Sequence, residues 1–344
     1  MKVTAKMIAK ELGISTATVD RVLNNRSGVS EKTIRRVKEK AAELGYRPNA
    51  AAKYLATQKS MDVAFVLPVI PCYFWDELER EIISSARLYE DFGLKVQIFR
   101  VDAIPKENQI NFIKNMLDQN IFDAFVISPH DADPYVEIIN EGIRKGIPIF
   151  TLNNDVPNSS RISFVGTDYY SAGYLAAELI QSFTKDLRNV VIIREDENTY
   201  QMMNKEKGFR DYFAKCKRKM NIQTIPIMSD NIQLSEEWKS KMLHGCDAIY
   251  VANGVLGEMA DYIDDKNYEN NKIVIGHDMS KKVHHYLQND VIKSVICQDP
   301  SSQARWTVQK VFEYVVLEDR SEQSDTIIKL EIVTKANAKY YINY

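Results

Sequence analysis

AKELGISTATVDRVLN, residues 9–24, reads as the end of one short helix, a glycine turn and a second short helix. Working outward, Thr4 caps the first helix, which carries Met7, Ile8 and Leu12, and Gly13 stops it. Ser15 caps the second, whose apolar positions are Val19, Val22 and Leu23. A polar loop follows, and Ser30 then caps a third helix with Ile34, Val37, Ala41 and Leu44 on one face, ended by Gly45. Ala9, Gly13 and Val19 are small or apolar where two helices must cross closely, so the spacing predicts a helix-turn-helix module. Its second helix would lie in a DNA major groove with Thr16, Ala17 and Arg21 facing outward. Of these three, Arg21 can make a bidentate contact to guanine. Thr4, Ser15, Thr18, Asn24 and Ser30, at helix ends, suit phosphate contacts that set register without reading sequence. The plain alternative is a structural three-helix bundle with a solvated basic face.

Charge supports the DNA reading. Residues 1–60 hold thirteen Lys/Arg against five Asp/Glu, a net of +8, while the rest of the chain holds thirty-two against forty-two, a net of −10. The near-neutral total of −2 therefore hides a basic head on an acidic body. With 344 residues, 45% of them hydrophobic and 27% charged, two or three domains are expected and wholesale disorder is excluded. The N-terminus has no signal-peptide core and no stretch reaches membrane-span length, so a cytoplasmic protein without membrane contact is expected. Cys72, Cys216, Cys246 and Cys297 are far apart with no C-x-x-C, which reads as buried thiols in a reducing compartment, without zinc or disulfides.

From Asp62 the texture changes. Apolar runs at 63–67, 96–99, 124–128 and 147–152 alternate with amphipathic stretches at 75–92, 106–120 and 132–145. A second set has runs at 190–194, 222–228, 248–252, 273–276 and 294–297, with helical stretches at 201–219, 233–243, 255–265, 280–289 and 301–317. The runs are continuous rather than alternating, as in parallel strands buried on both faces. So many repeats predict an α/β body of two doubly wound parallel-sheet lobes, with a ligand cleft at the carboxyl ends of the strands.

The stretch from Val3 to Thr57 resembles, without a gap, the DNA-binding head and hinge of the lactose-repressor (LacI/GalR) family, and the body fits that family's periplasmic-binding-protein-like core. The resemblance implies a head at 1–48, a hinge helix and linker at 49–60, and a ligand-binding core at 61–344. Within the core it implies an N-lobe of about 61–168 plus 299–325 and a C-lobe of about 169–298 plus 326–344. It also implies that the segment from Asn49 folds into a helix only on DNA, where Leu55 wedges into a minor-groove base step. Read without the family, residues 50–56 are too short for a stable helix in water, so coupled folding and a plain linker both fit. Asp20 departs from the family's usual serine and would face phosphate or a cytosine amino group, or orient Arg21.

In the body, IPCYFWDELEREI resembles a ribose-binding-type first loop, which makes Phe74 and Trp75 a sugar-stacking pair or simply core. Asn153, Asn154 and Asp155, directly after a strand, are hydroxyl ligands or turn formers. TYQMMNKEKGFRDYF matches a stretch that often carries ligand-binding arginines; here Met203 and Lys205 stand in those places. VANGVLGEM keeps Asn253 but has Gly254 in place of an acidic residue, VIGHDMS keeps the carboxylate Asp278, and SVICQDP keeps Gln298. Asp278 could alternatively be a helix cap.

No dinucleotide, Walker or nucleophile-elbow glycine motif occurs, and the adjacent His284 and His285 cannot share a helix face, so neither enzyme activity nor a cofactor or metal is expected. The expected function is a homodimeric transcription regulator, a repressor in the simplest case, that binds a pseudo-palindromic operator in double-stranded DNA. A small sugar or polyol-like effector in the cleft would control it. A solute-binding protein for a transporter is the competing reading, and a sugar-processing enzyme a second. The tyrosine-rich C-terminus, KLEIVTKANAKYYINY, reads as a strand and a short tail without an assigned role.

Overall fold

The computed structural model describes residues 3–23, 26–46, 60–102, 107–130, 132–195, 199–227, 245–264, 272–320 and 324–342. They fall into two units, 1–60 and 61–344. The head helices start at the predicted caps. Helices α1 (Ala5–Leu12), α2 (Thr16–Leu23) and α3 (Glu31–Glu43) follow Thr4, Ser15 and Ser30, whose hydroxyls accept from the amides of Met7, Thr18 and Thr33. Ile8, Ala9, Val19, Val22, Val37 and Ala41 form one small core. Burying a side chain such as Ile8 or Val19 stabilises by about 1.5–3 kcal/mol, a large fraction of what so small a unit can muster.

The second unit alternates strand and helix. Its first sheet contains β1 (Met61–Leu67), β2 (Leu94–Arg100), β3 (Ala124–Ile127), β4 (Ile149–Leu152) and β5 (Phe164–Thr167), with α4 (Cys72–Glu90), α5 (Glu107–Gln119) and α6 (Ala132–Arg144) between them. The second contains β6 (Asn189–Glu195), β7 (Asn221–Ile227), β8 (Ala248–Val251), β9 (Ile273–His277) and β10 (Ser294–Cys297). Helices α7 (Tyr169–Phe183), α8 (Tyr200–Lys215), α9 (Leu256–Asp264) and α10 (Lys281–Gln288) accompany it, followed by α11 (Pro300–Val315), β11 (Thr326–Ile328) and β12 (Glu331–Val333). The sheets run β11-β5-β4-β3-β1-β2 and β12-β10-β9-β8-β6-β7, all parallel except the β10–β12 pair. Strands β3, β4, β8 and β9 are buried throughout, matching their continuous apolar runs. The edge strands β2 and β7 alternate instead, and Pro226 in β7 fits an edge position.

The chain passes between lobes after Thr167, after Cys297 and after Ile328. The last crossing differs from the expected boundary at 326: β11 pairs with β5, Thr326 opposite Val165, and so belongs to the N-lobe. Asp325 holds it there by accepting from the Phe164 amide at 2.9 Å and from Arg161 at 2.7 Å. The three-residue β11 and the four-residue β5 carry too little pattern to be seen in sequence. The cysteines divide: Cys246 and Cys297 are buried as expected, whereas Cys72 and Cys216 are exposed. The predicted helix at 233–243 lies outside the described residues.

Close backbone packing positions the C-lobe wall of the cleft. Helices α7 and α8 cross where Gly173 faces the backbone of Lys205, and a Cβ at Gly173 would fall 1.8 Å from the Lys205 carbonyl oxygen. Glycine is therefore required there, and the crossing sets the height at which Lys205 leaves α8.

Candidate functional site

A cavity of about 310 Å3 opens between the lobes at the carboxyl ends of their strands. Phe74, Trp75, Asn153, Asn154, Lys205, Asn253, Asp278 and Gln298 line it, so the structure brings together eight of the residues singled out in the sequence. Two others are placed elsewhere. Asp155 turns away to accept from Thr151 Oγ1 at 2.7 Å, the Val156 amide at 2.8 Å and Arg161 Nη2 at 2.7 Å, which makes it the turn former of its triplet. Met203 is 47% exposed, whereas Met202 lines the cavity. The helical period explains this: Met202, Lys205 and Phe209 share the buried face of α8 and Met203 is one position out of phase.

Asn153 and Asp278 occupy equivalent places, each the first residue beyond a strand, β4 in one lobe and β9 in the other. Both have φ of 64°, in the left-handed region that non-glycine residues rarely adopt and that clusters at ligand sites. Asp278 is not the cap of α10; Ser280 takes that role, accepting from the Val283 amide at 3.1 Å. The Asp278 carboxylate instead accepts from Gln298 Nε2 at 2.7 Å. Burial pushes its pKa up to about 6, against the pull of Lys205 and the Gln298 bonds.

Lys205 is 1% exposed and donates to the Ala252 carbonyl at 2.8 Å. Burial lowers its pKa to about 8, opposed by Asp278 and Glu195. Trp75 donates from Nε1 to the Ile70 carbonyl at 3.0 Å and meets Phe74 edge to face, the ring centroids 5.1 Å apart. Asn253, 3% exposed, has neither side-chain polar atom bonded within the described protein, and the Asn154 Oδ1 is likewise unsatisfied. Each such group costs about 1–3 kcal/mol unless something in the cavity bonds it.

Asp102, His130, Glu195 and Gln201 also line the cavity and were missed in sequence. Asp102 and His130 sit just past the ends of β2 and β3 and Glu195 is the last residue of β6, so the rule that ligands meet strand C-termini could have nominated all three. His277, fully buried beside Asp278, bonds Tyr250 through Nε2 at 2.7 Å, and burial together with Lys205 keeps it neutral. Among the described residues no group of His, Cys, Asp or Glu could hold a metal ion, and no helix is long and apolar enough to cross a membrane.

In the head, Thr16, Ala17 and Arg21 are exposed on α2. Asp20 pairs with Arg26 at 3.5 Å, and the Arg21 guanidinium lies over Gly28. Ser15 Oγ accepts from the Thr18 amide at 3.1 Å and exchanges a bond with the Thr18 hydroxyl, while Thr4 and Ser30 are occupied with their own caps. Asn24, Asn49 and Leu55 lie outside the described residues.

A helix-turn-helix head followed by a two-lobed receptor with a ligand cleft defines a DNA-binding transcription regulator that carries its own sensor. The model of the bacterial regulatory proteins of the lacI family matches residues 4–49, and that of the periplasmic binding protein domain matches residues 63–318. The chain is 29% identical over 260 residues to the HTH-type transcriptional regulator DegA of Bacillus subtilis, covering 74% of each chain. It is 30% identical over 188 residues to catabolite control protein A of Priestia megaterium, covering 54% of each. A crystal structure of a LacI transcriptional regulator from Bacteroides fragilis superposes with a TM-score of 0.76 at 17% identity, over 83% of this chain and all of that one. A carbohydrate transporter solute-binding protein from Agrobacterium radiobacter, in complex with D-arabinose, gives 0.73 at 19% over 83% and 99%; both show the shared fold. The chain belongs to the lacI family of bacterial regulatory proteins, with a core of the periplasmic-binding-protein type.

Proposed function

We propose that this regulator acts in the cytoplasm as a homodimer, reads a pseudo-palindromic operator through α2 of each head, and responds to a sugar or polyol held between the lobes. The observation that carries the effector class is the set of buried, unsatisfied amide atoms on Asn253 and Asn154 beside the Asp278 carboxylate. Such groups bond hydroxyls, which both donate and accept, and the Phe74–Trp75 pair offers apolar surface to a sugar ring. Asn153 and Asn154 reach the ligand from the N-lobe; Lys205, Asn253 and Asp278 reach it from the C-lobe. A ligand bonded to both sets favours the closed arrangement only by its differential affinity for that state. Closure then biases the heads between operator-competent and incompetent arrangements, which is how ligand and DNA become coupled.

Calorimetry with a panel of pentoses, hexoses and polyols, D-arabinose and D-allose among them, tests the effector class. The expected result is saturable binding of at least one member that Asp278→Ala abolishes. Gel retardation of the chain's own promoter region, with affinity that falls as salt rises, tests the operator reading. Failure of every sugar in the panel, or retardation indifferent to sequence, overturns the corresponding half.

A further inference from the structure

Beside the cavity the two lobes touch directly. The Tyr73 hydroxyl, at the start of α4, donates to the Gly254 carbonyl at 3.1 Å, linking the loop after β1 to the loop after β8. Pro71 packs on the same glycine: a Cβ at Gly254 would stand 2.6 Å from Pro71 Cγ and 3.2 Å from Pro71 Cβ. Such a Cβ would also lie 3.3 Å from the Tyr73 hydroxyl oxygen, so any side chain at 254 strikes the facing lobe. The position in the sheets matters. Strand β1 lies four places from β11, and β8 three places from β12, the strands that flank the last crossing between lobes. The contact is thus set apart from the last crossing, while Tyr73 shares a cavity wall with Cys297, Asp299 and Pro300 at the second. Ile70, Pro71 and Gly254 also line the effector cavity, so the contact forms part of its wall.

We propose that Tyr73 and Gly254 form a latch that holds the lobes closed, and that Gly254 is a positioning residue kept bare so that Pro71 and Tyr73 can reach it. The latch is made only when the lobes meet, so it stabilises the closed state through a lobe-to-lobe bond that needs no ligand. Effector affinity is then set partly by a protein–protein bond, and the residue at 254 tunes the response of the regulator. This differs from a role in ligand recognition, because removing the latch shifts the open–closed balance even with the cavity empty.

The test uses the full chain and Trp75, whose indole lines the cavity next to the latch loop. The other two tryptophans are replaced by Trp238→Phe and Trp306→Phe. Acrylamide quenching of Trp75 is measured without effector or DNA, so its result does not depend on what the cleft binds. Tyr73→Phe deletes one hydrogen bond and should lower the closed-to-open ratio by about fivefold. Gly254→Ala should lower it further, and both should raise the quenching slope. Circular dichroism establishes that each variant is folded; if Gly254→Ala is not, Tyr73→Phe alone decides. Equal slopes for the parent and Tyr73→Phe overturn the latch. A raised slope together with failure of the sugar panel retains the latch while removing the proposed effector class.

Discussion

Gln298 donates to Asp278 Oδ2 at 2.7 Å while its own Oε1 lies 3.3 Å from the Thr167 hydroxyl and 3.2 Å from Gln201 Nε2. One side chain at the second lobe crossing thus ties the cavity-lining carboxylate of the C-lobe to the last residue of an N-lobe strand. Replacing it by alanine leaves Asp278 without its main side-chain donor and disconnects it from Thr167. Gln298→Ala should weaken effector binding by about tenfold or more, the loss expected for a hydrogen bond to a buried charge. Gln298→Glu should be worse, since a second carboxylate would repel the first. Isothermal calorimetry with whichever panel sugar binds provides the check; a Gln298→Ala affinity equal to the parent's would sink the idea.

Arg161 anchors the last crossing rather than the cavity. Its guanidinium bonds buried Asp155 and half-exposed Asp325, and Asp325 in turn receives the Phe164 amide. Burial alone would push the Asp325 carboxyl up, but the Arg161 and Phe164 bonds outweigh it and hold the pKa below the ordinary range. A depressed carboxylate contributes stability above its unfolded pKa and loses it as pH falls through the folded value. Arg161→Met strands the Asp155 carboxylate and should cost about 3–5 kcal/mol, the range for breaking one side of a buried pair. Urea unfolding at neutral pH measures this, and an unchanged midpoint would contradict it.

On the DNA side, the structure separates two neighbouring charges. Asp20 is engaged by Arg26, both well exposed, so that pair should be worth no more than about 1 kcal/mol. Arg21 is exposed on α2. Arg21→Ala should lower operator affinity by about 1–3 kcal/mol and relax preference at one base pair per half-site. Asp20→Asn should change head stability little. A randomised-site selection compares base preferences of the two variants, and loss of preference in Asp20→Asn but not in Arg21→Ala would reverse the assignment.

Much of this was legible because local and tertiary signals agree. The caps Thr4, Ser15 and Ser30 and the apolar spacing of Ile8, Val19, Val22 and Val37 specify the head before any tertiary contact forms. The β-branched runs declare the parallel sheets, and the strand-end rule places Asn153, Asn154 and Asp278 at the cleft. What escaped depends on information not carried by local pattern. Met203 was misplaced because a matched position does not determine helical phase to one residue. Which of its two open roles Asp155 takes, hydroxyl ligand or turn former, depends on Arg161, six residues on across a loop. β11 is three residues long and owes its lobe to Asp325, and the Tyr73–Gly254 contact spans 181 residues of chain.

With a hydroxylated effector in the cavity, the Lys205–Asp278 couple should make binding depend on pH in a direction opposite to that of stability. Asp278 accepts hydroxyl hydrogens most strongly when ionised, its protonated form keeping a weaker acceptor beside one O–H donor, and burial raises its pKa from 3.8 to about 6. Affinity should therefore be full above that value and fall, by up to about tenfold per pH unit, as pH drops below it. Stability moves the other way. Because its folded pKa is raised, the native state takes up the proton more readily than the unfolded chain, so this group adds stability as pH falls from about 6 toward 3.8. Lys205, lowered from 10.5 to about 8, binds its proton less tightly when folded, and its contribution to stability grows as pH rises from 8 toward 10.5. Calorimetric titrations at pH 7.5, 6.5 and 5.5, taken alongside urea midpoints at the same values, separate the two effects. Asp278→Asn should bind weakly with a flat pH profile between about 5 and 7, because the titrating carboxylate is gone. A variant that kept the parent's fall in affinity below about pH 6 would assign that titration to another group.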